Sequence, residues 1–204
     1  MTEPDSQSTN IVATTMGLVA EQGWRALRLN GVADVAGIPA EEFRRLYPYK
    51  ASLLTACAAQ VEREAAGEPP VFEPEDSVRD RLFELLMQRL DILSPYKQAV
   101  GRILREIPAE PVSVAMSGPD TMRLMGGILE QAGVSATGPF GCLRRKGLAA
   151  IWLATLREWV GDDSPDNART MATLDAHLRR IEPFARILAG GPGVGRGRVA
   201  AAGA

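Results

Sequence analysis

Apolar residues recur three and four positions apart along most of the chain, and the breaks between such segments fall at glycine and proline. Ile11, Val12, Met16, Val19 and Ala20 share one helical face. Thr9 or Asn10 is placed to cap that helix and Gly23 to stop it, which leaves residues 1–8 as a disordered lead-in. Leu29, Val32, Ala33 and Ala36 define a second, short helix ending at Gly37, a residue suited to the φ > 0 position that closes a helix. Ile38 restarts the pattern at once. Pro39 suits the opening of a third helix, because its missing N–H would have no intrahelical partner there. Phe43 and Leu46 are that helix's apolar positions and Pro48 ends it. A longer helix, 51–66, carries Leu53, Leu54, Cys57 and Val61 and stops at Gly67.

The stretch EPPVFEPED then breaks all periodicity with its prolines and acids, and it reads as a linker. Beyond it, Ser77-Val78-Arg79-Asp80 resembles a capping box at the start of a helix with Leu82, Leu85, Leu86, Leu90 and Leu93 on one face. Ser94-Pro95 reads as an N-cap with proline at the first helical position, for a helix reaching about Ile107. The stretch PAEPVSVAMSGP reads as loop or a frayed turn. Further helices are predicted from Asp120 to Ala132, from Gly138-Pro139 to Val160, and from Ser164-Pro165 to about Leu188. No strand alternation and no internal repeat interrupts this series. The chain is therefore predicted to be all-α, divided into residues 1–66, a linker at 67–75, a larger unit at 76–189 and a glycine-rich, disordered tail at 190–204.

Two short helices across a tight glycine turn, as in 28–50, form a helix-turn-helix, whose second helix can lie in a DNA major groove. The same pattern also fits an ordinary helical hairpin, so charge matters next. The whole chain carries a net charge of −2, and no global basic field announces nucleic acid. Residues 1–66 hold six basic and eight acidic side chains, but Arg28, Arg44, Arg45 and Lys50 cluster at the motif. Glu41 and Glu42 lie in the first turn of the third helix, where a carboxylate favours the helix N-terminus. Either can also accept from a cytosine amino group.

Taken together, residues 10–54 resemble the DNA-binding domain of TetR-family transcriptional regulators. The resemblance rests on Glu21-Gln22-Gly23, Val32-Ala33, Ala36-Gly37-Ile38, Phe43, Tyr47, and Lys50 with Leu53-Leu54. It implies an N-terminal three-helix module with a helix-turn-helix, and a C-terminal bundle that binds a ligand and dimerises. It implies a double-stranded DNA operator as partner, contacted through Arg28, Pro39, Ala40, Glu42, Arg44, Arg45 and Lys50. The sequence departs from that family where Glu41-Glu42-Phe43-Arg44 replaces a Gly-Thr-Leu-Tyr run, and where Arg28 replaces a capping threonine. A second resemblance, carried by Leu46-Tyr47-Pro48 and by RRKGLAAIWLATLREWVGDDSPD, is to lipid-binding proteins of coenzyme Q biosynthesis that share the fold. It implies a lipid or isoprenoid ligand and no role on DNA.

The last two helices speak to partners. From Gly147 to Leu156 only Thr155 is polar, and a helix apolar all round must be covered on all sides. Met171, Leu174, Leu178, Ile181, Ala185 and Leu188 alternate at spacings of three and four, a narrow seam suited to helix pairing, which Pro183 should kink or interrupt. Ile151, Met171, Leu174, Leu178 and Ile181 are accordingly expected at a homodimer interface. Met87, Met116, Met122, Met125, Phe140 and Trp152 are expected to line a pocket for a small apolar ligand, methionine being suited to adaptable cavities.

Other candidate chemistry is weak. His177 is the sole histidine, so no His-based triad or His-rich metal site is available. Asp162-Asp163-Ser164-Pro165-Asp166 lacks the alternation and glycine of a calcium loop and reads as a capping turn. Gly193-Val194-Gly195 stands outside any strand–helix context. Cys57 and Cys142 form no disulfide framework and fit a reducing compartment. No apolar run reaches membrane-spanning length, and the N-terminus is unlike a signal peptide. The expectation is a cytoplasmic, non-enzymatic, cofactor-free protein with no membrane insertion.

Overall fold

In the computed structural model of the chain, residues 3–138 and 140–188 are described, with side chains from 8 to 138 and from 140 to 180. Every element among them is helical: α1 (Glu3–Gln22), α2 (Leu29–Ala36), α3 (Ala40–Leu46), α4 (Lys50–Gly67), α5 (Val78–Leu93), α6 (Lys97–Glu106), α7 (Pro111–Gln131), α8 (Gly141–Val160) and α9 (Ala168–Leu188). Among the described residues no helix is long and apolar enough to cross a membrane. The predicted tail at 190–204 lies outside the described residues.

The turn between α2 and α3 forms as its sequence dictates. Gly37 takes φ +68°, its N–H donates to the Asp34 carbonyl at 3.2 Å, and the Ile38 N–H reaches back to the Ala33 carbonyl at 3.0 Å. This pair of bonds closes α2 as a Schellman motif, and Ile38 and Phe43 then drop into the core. Phe43 is fully buried and stacks obliquely on Tyr47, their ring centroids 5.0 Å apart. Pro39 sits one position before α3 and accepts the first intrahelical bond, from the Phe43 N–H at 2.9 Å.

Elsewhere the helices depart from expectation for identifiable reasons. α1 begins at Glu3, not near Asn10. Pro4 is tolerated in a first turn. Ser94 caps nothing: α5 passes into a short 3-10 turn, Ser94–Tyr96, before α6. The stretch 108–119 is not a loop but includes the first half of α7, which runs through Pro119. Pro111 opens that helix, where a missing N–H is harmless. Around Pro119 the Ser117 and Thr121 hydroxyls donate to carbonyls four residues back, at 2.8 and 3.0 Å. α8 starts at Gly141, slightly later than expected. α9 begins at Ala168 after a 3-10 turn and continues past Pro183 to Leu188 without interruption.

The side chains form two cores. The first joins Ile11, Trp24, Val32, Phe43, Leu53 and Cys57 of α1–α4 to Ala99 and Val100 of α6 and Leu156 and Trp159 of α8. Burial pushes the Cys57 thiol up to about 12, so it packs there as a protonated, apolar group. The second joins Leu82, Leu85 and Leu86 of α5, Met125, Ile128 and Leu129 of α7, Leu148 and Ile151 of α8, and Leu174 and Leu178 of α9. Met87 and Trp152 pack against both. Even the segment between α4 and α5 is anchored, since Phe72 packs on the second core under the Arg81 guanidinium.

This arrangement corrects the expected dimer seam. Leu174 and Leu178 are 0% and 2% exposed in the single chain, and Ile151 is buried beside them. Leu174 and Leu178, the centre of the α9 stripe, are consumed inside the protomer against α5 and α8, so with Ile151 these three side chains are unavailable to a second copy. Met171 is half-buried, and the Ile181 side chain lies outside the described residues.

Two polar anchors hold the helices in register. Arg89, 2% exposed, donates to both carboxylate oxygens of Glu62 at 2.6 and 2.7 Å and to the Leu85 carbonyl at 2.7 Å, tying α4 to α5. Breaking such a pair from one side strands a buried guanidinium, at about 3–5 kcal/mol. Glu62→Ala should therefore lower unfolding stability in urea by about 3 kcal/mol, as the pair is partly open to solvent, and adding Arg89→Met should recover most of the loss. The second anchor is Asp162. Its carboxylate accepts from the Ser164 N–H at 3.0 Å, from the Ser164 hydroxyl, and from the Thr170 N–H and hydroxyl at 2.8 and 2.7 Å, which joins the end of α8 to the start of α9. The Ser164 hydroxyl foremost, then the Thr170 donors, hold it well below the usual aspartate range against the opposing effect of burial. A depressed carboxyl stabilises fully above the unfolded value of about 3.9 and loses that contribution as pH falls. Melting temperatures of the wild type and Asp162→Asn should thus differ at neutral pH, and the difference should shrink progressively as pH falls from about 4 toward the depressed folded value.

Candidate nucleic-acid interface

α3 is short and anchored from below by Phe43, which leaves Glu41, Glu42, Arg44, Arg45 and Leu46 exposed on its outer side. Both acids lie in its first turn and both arginines in its last, so each charge complements the helix dipole. Pro39 is exposed beside them and Ala40 is half-buried.

The cations are distributed over three elements but meet. Arg28, at the N-cap of α2, donates to the Arg25 carbonyl at 3.1 Å. Arg44 on α3 donates from Nε and Nη2 to the Asn30 amide oxygen at 3.2 and 3.1 Å, which turns its guanidinium toward α2. Lys50 opens α4. These three side chains, with Leu27, Leu29 and Asn30, line one open groove at the junction of α2, α3 and α4. Arg45 is exposed on the same helix as Arg44 but is not among the residues lining that groove. An apolar floor with a cationic rim is suited to a sugar–phosphate strand, where charge neutralisation supplies most non-specific affinity.

Sequence reasoning missed several participants. Asn30 has no marked signal beyond its place on α2. Val35 on α2, Leu46 on α3 and Tyr49 at the N-cap of α4 are large apolar side chains left exposed near these elements. The largest omission is Glu110, which stands at the N-cap of α7 and accepts from Lys50 Nζ at 2.9 Å, Trp24 Nε1 at 2.9 Å and the Ser113 hydroxyl at 3.0 Å. The Lys50 ammonium also sits 4.7 Å from the centre of the Trp24 ring. Burial raises the Glu110 carboxyl, but the Lys50, Ser113 and Trp24 donors outweigh it and hold the group below the ordinary glutamate value. One turn earlier, Glu106 accepts from the Arg25 N–H at 2.8 Å and closes over Gly23, where an added Cβ would lie 2.6 Å from its Oε1.

This order of helices, with the α2–α3 turn at one end and the long α8 and α9 at the other, recurs in solved structures. A TetR transcriptional regulator from Nitrosomonas europaea ATCC 19718 superposes with a TM-score of 0.64 at 21% identity, over 85% of this chain and 96% of that one. A TetR transcriptional regulator from Rhodococcus sp. RHA1 superposes with a TM-score of 0.60 at 16% identity, over 88% and 99%. The chain has the TetR fold. No family model matches its sequence, and no curated protein matches it.

The six side chains expected around a ligand are not gathered in this TetR-like body. Met125 is fully buried in the second core, Met87 and Trp152 bridge the two cores, and Met122 is half-buried. Met116 and Phe140 are exposed. The groove on α9, lined by Ala172, Asp175, Ala176, Arg179 and Arg180, involves none of them.

Removing one phosphate contact should flatten the salt dependence of duplex binding by about 1 in log–log slope for each protomer bound. Arg44→Ala should show that change, and Arg45→Ala a smaller one. Glu41→Gln should strengthen non-specific binding by relieving repulsion. The measurement is fluorescence anisotropy of a labelled duplex titrated at several salt concentrations.

Proposed function

We propose that the protein is a homodimeric, DNA-binding transcriptional regulator, with a reading head of residues 1–66 and a body of 76–189 that responds to a small apolar ligand. The observation that carries this reading is the convergence of Arg28, Arg44 and Lys50, from three separate elements, on one groove beside the exposed face of α3. In the proposed complex α3 enters the major groove while these cations engage the flanking phosphates. A second copy would present the same head about 34–36 Å away, one duplex turn.

With the α9 seam internal, dimerisation falls to the outer faces of the last two helices. Leu143, Ala150 and Leu153 are exposed along α8, and Ala172 and Ala176 along α9 beside its shallow groove. Small residues on one helix and leucines on another allow two copies to pack closely as a four-helix bundle. A ligand acts by favouring one separation of the two heads, through a coupling of about 1–3 kcal/mol.

One observation favours the alternative, a lipid-binding accessory protein that has lost DNA binding: Glu41 and Glu42 are both exposed at the start of α3, where phosphates would approach. Selection of genomic fragments by the purified protein at low salt decides between them. Recovery of a common sequence is expected, and Leu153→Asp should convert a dimer in sedimentation to a monomer and abolish that recovery. A failure to retain any duplex at low salt, with an isoprenoid or other lipid raising the melting temperature, would instead establish the accessory role.

A further inference from the structure

Lys50 stands between two anion sites. It lines the groove with Arg28 and Arg44, yet its ammonium is already held 2.9 Å from Glu110, a residue of the body rather than of the reading head. Both side chains are mostly covered, at 20% and 24% exposure, so the pair is better shielded than a surface ion pair. We propose that Glu110 competes with the DNA backbone for Lys50, and that the start of α7 thereby sets how strongly the groove binds phosphate. This rests on the DNA-binding reading and names the contact through which the body would act on it.

The geometry makes the exchange feasible. Glu110 keeps two other donors, Trp24 Nε1 and the Ser113 hydroxyl, so its carboxylate is not stranded when the ammonium leaves. Lys50 has a flexible four-carbon stem and a strongly hydrated point charge, and it can swing between a carboxylate and a phosphate without any helix moving. The Trp24 ring beneath it offers a cationic resting place on the way. Glu110 is also coupled to the body, because α7 continues to Met125, Ile128 and Leu129 in the second core. A shift of α7 there would seat or withdraw the carboxylate. Glu106, on the preceding helix, fixes the Gly23–Arg25 loop, so the neighbouring backbone stays in place while Lys50 exchanges.

The test is a double-mutant cycle on binding of mixed-sequence duplex DNA across a range of salt, using the wild type, Glu110→Gln, Lys50→Gln and the double variant. Glu110→Gln should tighten binding about tenfold and steepen the salt slope by up to about 2, as the Lys50 of each protomer is freed to engage phosphate more fully. On the Lys50→Gln background the same change should do little. Glu110→Asp, which keeps the charge but draws it back, should fall between wild type and Glu110→Gln, and it decides the matter if the glutamine variant does not melt like the wild type. Equal tightening with and without Lys50 would mean only a general loss of repulsion and would overturn the exchange, as would no tightening at all. If the wild type binds and only these differences are missing, the exchange fails and the DNA-binding reading stands. If none of the four proteins binds duplex at low salt, the DNA-binding reading itself fails and takes the exchange with it.

Discussion

The first hydrophobic core is the constraint on which the rest of the molecule depends. A three-helix head of this size buries too little apolar surface to be firmly stable alone. Here it completes its core by seating Trp24, Phe43 and Leu53 with Ala99, Val100 and Trp159 of the body. Head and body are thus one packed object at that junction, and helices α6 and α8 cannot shift far without disturbing the platform under α3. The polar contacts sit at the rim of the same junction: Glu106 on the Arg25 backbone, Glu110 on Trp24 and Lys50, and Arg89 on Glu62 further along α4. Close packing makes the junction stiff, while the charged pairs at its rim can exchange partners more readily than the core can shift.

Charge explains why this head cannot act as a generic polycation. Its acids outnumber its bases, and three of the four cations at the motif have protein partners: Arg25 and Leu27 carbonyls for Arg28, Asn30 for Arg44 and Glu110 for Lys50. Such cations are oriented in advance, which lowers the ordering cost of binding, but each must partly give up an existing bond. Glu41 and Glu42 add local repulsion while stabilising the short helix that carries them. A head built this way favours a ligand that matches its geometry over any merely anionic surface.

The parts of the fold legible in the sequence were those fixed by local chemistry. Gly37 closing α2, the buried Phe43 and the Ser77 cap of α5, which accepts from the Asp80 N–H, all depend on neighbours within a few residues. Periodicity also put Leu174 and Leu178 on one apolar stripe of α9, but a stripe does not name what it packs against, and their partners were α5 and α8 of the same chain. Composition misled at 108–119, where prolines and serines imitate a loop. Pro111 stands where a helix tolerates proline, and hydroxyl bonds flank Pro119. The positive rim was anticipated as a cluster of four. Only the fold could show that Arg28, Arg44 and Lys50 share a groove that Arg45 does not line, and that Glu110, far along the chain, pairs with Lys50.

The internal use of the α9 seam has a consequence for how such a chain would associate. Once Leu174 and Leu178 are spent on the second core, the outer side of α9 as far as Arg180 carries alanines, aspartate and arginines, and the outer side of α8 carries isolated leucines among charged residues. An interface made from those faces would be thin in apolar area and would owe its specificity to shape and to charges such as Asp175 and Arg179, which already pair with each other along α9. Association of that kind is marginal enough to be shifted by small changes in helix position, because little apolar burial has to be undone. In the proposed dimer, a stable protomer core joined to a lightly held interface would let the spacing of two heads change without unfolding either one, which a fully apolar seam would resist.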